Sequence, residues 1–142
     1  SELVKSQVAD RKGIPNNPSP AHIDNLKSLC LNVLQPIRSN FNEPVIISSG
    51  YRSAELCIAI GSKPTSQHSE GKAADIEIVN VDNRELAMWI KNNLEFDQLI
   101  LEFYKEGEPD SGWVHVSYNS EKNRNQFLIA SRENDKVIYR PA

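Results

Sequence analysis

The stretch Ser66-Gln67-His68-Ser69-Glu70-Gly71-Lys72-Ala73-Ala74-Asp75 decides how this chain is read. It sets an imidazole just before a glycine turn and a carboxylate at the start of an alternating apolar run. From Ala74 to Val79, Asp75 and Glu77 alternate with Ile76 and Ile78, the pattern of a strand with one buried face. The turn between His68 and Asp75 can bring both side chains to one point. A third donor lies in Trp113-Val114-His115-Val116-Ser117, where the flanking valines face the core and His115 faces away from it. Two imidazoles and a carboxylate suit a catalytic zinc, which keeps a fourth position for water. The residues alone leave a plainer alternative open, with His68 a loop residue and Asp75 a hydrogen bonder at a strand start.

Outward from this stretch, the spacing predicts helices first and then a mainly antiparallel sheet, an α+β class. Residues 1–18 read as a polar lead-in, with a loop from Gly13 to Pro18. Ser19 caps a helix expected from Pro20 to about Ser39, whose apolar face is Ile23, Leu26, Cys30, Val33, Leu34 and Ile37. Pro36 should kink or weaken its last turn. Val45 to Ser49 reads as a buried strand, Ser53 to Ile60 as a capped short helix, and Gly61 to Gln67 as a loop. Asp82 and Glu85 form the pattern of a capping box for a helix through Asn93. Gln98–Tyr104 pairs with Trp113–Tyr118, and Gln126–Ala130 with Val137–Arg140 around Glu133-Asn134-Asp135. His22 reads as a surface histidine with no partner within reach.

Composition sets the outer limits. The chain has 142 residues, is 39% hydrophobic and 25% charged, and carries a formal net charge of -3. That suits one domain over 1–142 with a single core, expected as a monomer. Nothing in the charge favours nucleic acid, and no apolar run approaches a membrane span. Cys30 and Cys57 read as buried free thiols, and spacing cannot argue for or against a disulfide between them. The chain opens at Ser1 with no stretch that reads as a signal peptide, which leaves localisation open.

The ten-residue stretch fits, at every fixed position, the Ser-x-His-x-x-Gly-x-Ala-x-Asp motif of the D-alanyl-D-alanine carboxypeptidase family of zinc peptidases. Ser49-Gly50-Tyr51-Arg52-Ser53 and Trp113 to Ser117 also resemble that family. The likeness runs from about Ser19 to Pro141 and points to the small single-domain members of bacteria and phages. It implies a Hedgehog/DD-peptidase-like fold, one zinc held by His68, Asp75 and His115, and peptidoglycan stem peptide as substrate. It also implies action on the cell wall, as a phage lysin or a bacterial enzyme. Arg52 matches the family arginine that binds substrate or steadies the developing oxyanion, and a guanidinium's fork of donors suits either task. Ser66 and Gln67 stand where they orient His68 or substrate.

The general base departs from the pattern. Many relatives carry an acid three positions before the last histidine, and here that residue is Gly112; others place a histidine two positions before it, and here that is Trp113. Glu102 is the remaining candidate. If Tyr104 pairs with Trp113, Glu102 lies opposite His115 on one face, with Trp113 and Tyr104 as an aromatic wall for substrate. Glu70 and Asp110 are weaker alternatives in loops. The missing acid keeps a competing reading open, a zinc-stabilised module that binds cell-wall peptide or a protein partner without cutting it. Carboxypeptidase and endopeptidase action are both compatible with the residues.

Overall fold

The computed structural model describes residues 2–62 and 66–142. The loop expected over 61–67 falls in part on residues 63–65, outside the described residues. Five helices and six strands follow in the order α1 (Gln7–Lys12), α2 (Pro20–Leu29), α3 (Gln35–Phe41), β1 (Ile46–Ser49), α4 (Ala54–Ala59), β2 (Ala73–Glu77), α5 (Asn83–Asn93), β3 (Gln98–Glu102), β4 (Trp113–Ser117), β5 (Gln126–Glu133) and β6 (Lys136–Pro141). The strands form one sheet in the order β1-β2-β4-β3-β5-β6. Neighbours are antiparallel except β3 and β5, which run parallel. This is the α+β class expected. No described helix is long and apolar enough to cross a membrane.

One face of the sheet packs on helices. Ile76, Leu99, Leu101, Val114 and Val116 meet Leu29, Val33 and Ile37 from the first helical run and Leu86 and Ile90 from α5. Each such side chain, fully buried, contributes about 1.5–3 kcal/mol. Strand alternation then sends the odd neighbours Asp75, His115 and Ile100 to the opposite face, so the core positions the site.

Several local expectations need correction. The first helix is not simply weakened at Pro36. It runs on to Phe41 through a π-turn at Cys30–Leu34, where the Gln35 amide donates to the Cys30 carbonyl. Pro36 has no N–H and its ring crowds the carbonyl four residues back, and the widened turn just before it relieves that conflict. β1 is an edge strand with Ile46 exposed, not a buried one. At α5, Asp82 caps the Arg84 amide at 2.7 Å, but no reciprocal bond from Glu85 forms among the described residues. Asp82's other oxygen accepts from the Tyr104 hydroxyl at 2.9 Å instead. His22 is not idle: the Ser19 amide donates to its Nδ1 while its own amide donates to Ser19 Oγ, both at 3.3 Å, a capping box with histidine in the usual acid's place. Cys30 and Cys57 are free thiols.

The polar lead-in is tied to the body of the fold. Ser6 caps α1, and Gly13 ends it in the left-handed region. The Tyr51 amide donates to the Leu3 carbonyl, and Asn16 Nδ2 donates to the carbonyls of Val4 at 2.8 Å and Tyr51 at 3.0 Å. Asn16 Oδ1 accepts the Ser53 amide at 2.7 Å. A Cβ at Gly50 would lie 2.4 Å from the Leu3 carbonyl oxygen, so only glycine permits this close approach.

Candidate functional site

The motif folds as a 3-10 turn, Gln67–Glu70, leading into β2. Ser66 Oγ accepts the His68 amide at 3.2 Å and starts the turn. Gly71 ends it at φ 74°, with the His22 carbonyl pressed where a Cβ would stand. The turn therefore sits on the start of α2, where Asn25 Nδ2 also donates to the Glu70 carbonyl at 2.8 Å. Gln67 reaches the other way, and its Nε2 donates to Asp97 Oδ2 at 2.6 Å. Asp97 is buried and also accepts from the Arg124 backbone and guanidinium, which holds its carboxyl below the usual range against the opposing effect of burial. Gln67 is thus anchored to the sheet, and it carries His68 with it.

His68, Asp75 and His115 converge. Their candidate ligand atoms all lie within 4.8 Å of one another, a group that could hold a metal ion. His68 Nδ1 donates to the Gly50 carbonyl at 2.7 Å, which fixes the tautomer and leaves Nε2 with a free lone pair. That Nε2 lies 3.5 Å from Asp75 Oδ1, and His115 Nδ1 lies 3.0 Å from the same oxygen. β2 and β4 pair Asp75 directly with His115. Burial alone would push the Asp75 carboxyl up, but the hydrogen bond to His115 and the neighbouring His68 outweigh it and hold it well below the usual carboxylate range. Two imidazoles and a carboxylate, buried, with one imidazole locked by a backbone acceptor, are the donor set that a tetrahedral N/O metal site requires. The residues present fit a zinc ion.

Glu102 comes to this centre by a different register from that expected. β3 pairs Glu102 with Trp113 and Ile100 with His115, two residues from the predicted pairing. The shift by two preserves the face, so Glu102 still shares it with His115. The cause is Phe103, whose φ of 56° turns the chain and ends the strand at Glu102. Gly112 at φ 65° packs on that turn, and a Cβ there would lie 1.9 Å from the Glu102 carbonyl oxygen. Trp113 Nε1 donates to Glu102 Oε2 at 2.7 Å. Burial raises the affinity of Glu102 for its proton, with the Asp75 charge adding to it and His115 and Arg52 opposing.

The fit at Gly112 is a test of the site's construction. Gly112→Ala should destabilise the protein by about 3 kcal/mol, from left-handed strain and from overlap with the Glu102 backbone. A drop of roughly 10 °C in the thermal midpoint is the expected reading. An unchanged midpoint would mean that the turn has slack.

These groups line a cleft of about 780 Å³ together with Arg52, Ser66, Gln67, Glu102 and Trp113. The Arg52 amide donates to the His68 carbonyl at 3.0 Å, and its Nε is buried with no partner among the described residues. Tyr104 does not reach the cleft: past the Phe103 turn it packs against the core and bonds to Asp82, so the aromatic wall is Trp113 without it. The Phe103 ring packs against that of Trp113 at 5.3 Å without lining the cleft itself. Glu70 pairs with Lys72 at 2.9 Å, and Asp110 is exposed in its turn; neither lines the cleft. Sequence reasoning missed Gln98, Gln126, Leu128 and Tyr139, which do. Their signal was the shared parity of Gln98, Ile100 and Glu102, readable only once β5 is known to lie beside β3.

A buried His–Asp–His centre beside a carboxylate and a guanidinium, in an open cleft, has the makeup of a mononuclear metallohydrolase. The chain belongs to the peptidase M15 family, whose family model matches residues 1–117. The match takes in the lead-in and stops at the end of β4, a span earlier at both ends than the resemblance of 19–141. None of the curated proteins matches the chain.

Proposed function

We propose that this protein is a zinc-dependent peptidase acting on peptidoglycan stem peptides, with His68, Asp75 and His115 as the metal ligands. The observation that carries this reading is the convergence of those three donors with Glu102 and Arg52 in one cleft. Membership of the M15 family supports it. A zinc ion so held supplies Lewis acidity toward a carbonyl and a water near neutral pH. Glu102 takes a proton from the attacking water as the new C–O bond forms, then returns it to the amine as the C–N bond breaks. The Trp113 indole fixes its Oε2, and Oε1 has no hydrogen-bond partner among the described residues. Arg52 meets negative charge on the substrate, either a terminal carboxylate or the developing oxyanion, and its buried Nε has no partner among the described residues. Ser66 and Gln67 hold the turn that aims His68, and Trp113 forms a wall.

The competing reading, a binding module without turnover, drew on the absent acid at position 112. Gly112 has no room for a side chain, and Glu102 delivers a carboxylate to the same cleft from the next strand. The reading with turnover is the better supported. Incubation with purified peptidoglycan should release new peptide fragments, detected by mass spectrometry, with zinc and not with a chelator. Intact wall in both arms, with zinc bound in one, would overturn the enzyme reading.

A further inference from the structure

We infer that the C-terminal hairpin is the far wall of the substrate cleft, and that Leu128 and Tyr139 there bind an extended peptide of about four residues or more. This rests on the peptidase reading and names its substrate class: a peptide chain longer than a dipeptide. Residues paired directly across a sheet share a face. One row runs Asp75, His115, Ile100, Leu128, and the next runs Trp113, Glu102, Ala130, Tyr139. The metal ligands and the hairpin residues therefore belong to one surface, and Leu128 and Tyr139 line the same cleft as His68 and Glu102.

Spacing decides what that surface can hold. From β4 to β6 is three strand separations, about 14 Å. An extended chain covers about 3.4 Å per residue, so roughly four residues are needed to pass from His115 to Tyr139. A dipeptide cannot touch both. Tyr139 is 53% exposed, and its hydroxyl has no partner among the described residues. It lines the same cleft as Glu102 and Asp75. On the same face, beside the His115 row, Gln98 Nε2 donates to Gln126 Oε1 at 2.9 Å, and both amides line the cleft with hydrogen-bonding capacity to spare for a peptide backbone. An aromatic ring, a leucine and an amide pair are the makings of a subsite for extended peptide. Tyr139, Leu128 and Gln126 lie beyond residue 117, outside the span of the family match.

The test compares a synthetic stem pentapeptide ending in D-Ala-D-Ala with the D-Ala-D-Ala dipeptide, on the zinc-loaded full chain. The wild type should favour the pentapeptide in kcat/KM by at least about tenfold. Tyr139→Ala should cut that preference about tenfold, mainly through KM, and Tyr139→Phe should keep most of it. An equal effect on both lengths, or none, overturns the inference. Titration of both peptides followed by NMR separates this from the activity itself. Should the wild type turn over neither peptide, weaker pentapeptide binding by Tyr139→Ala than by wild type still supports the subsite, and equal binding overturns it.

Discussion

Glu102→Gln should leave one equivalent of zinc bound and lower kcat by about 10²- to 10⁴-fold, the usual worth of a positioned general base. Glutamine matches glutamate in size and can still accept from the Trp113 indole, so the Phe103 turn and the strand register survive. What goes is the ability to take a proton. The metal ligands are other residues, so metal content, measured by mass spectrometry, should not move. The pairing of full metal with lost turnover distinguishes a base from a structural acid. Full turnover in this variant would remove Glu102 from the role, and among the described residues the cleft lining holds no other carboxylate besides Asp75.

The second large effect is on the ion. His115→Ala or His68→Ala removes one of the three donors, and the purified variant should retain far less than one equivalent of zinc after dialysis. Thermal stability gives an independent reading. Zinc at 1,000 times its dissociation constant should stabilise the wild type by about 4 kcal/mol, and that gain should vanish in either variant. Asp75 lies well below the usual carboxylate range, so at neutral pH it offers the ion an ionised carboxylate. Stoichiometric zinc in both variants would sink the ligand assignment.

Much of this was legible because the informative features are local. The motif of Ser66 to Asp75 carries its own turn glycine, and the alternation around His115 tells which way the imidazole points. The α+β class followed from helix periodicity and strand alternation, both short-range. What failed was non-local. The Tyr104–Trp113 register could not be read because it hangs on Phe103 in a left-handed conformation, which sequence gives no reason to expect of a phenylalanine. The parallel pairing of β3 with β5 has no local signal either, and with it went Leu128 and Tyr139. The lead-in read only as polar, because its work is done by backbone carbonyls and Asn16, which leave no pattern in the sequence.

That strap has a practical side for anyone cutting the gene. The carbonyl of Gly50 fixes the tautomer of His68, and Gly50 is pinned in turn beneath Leu3. An expression boundary drawn at Ser19, where the motif resemblance begins, would remove the chain that presses on this turn and the Asn16 clasp beside it. The shortened product would keep every ligand and every cleft residue named above, and lose the brace that aims one of them.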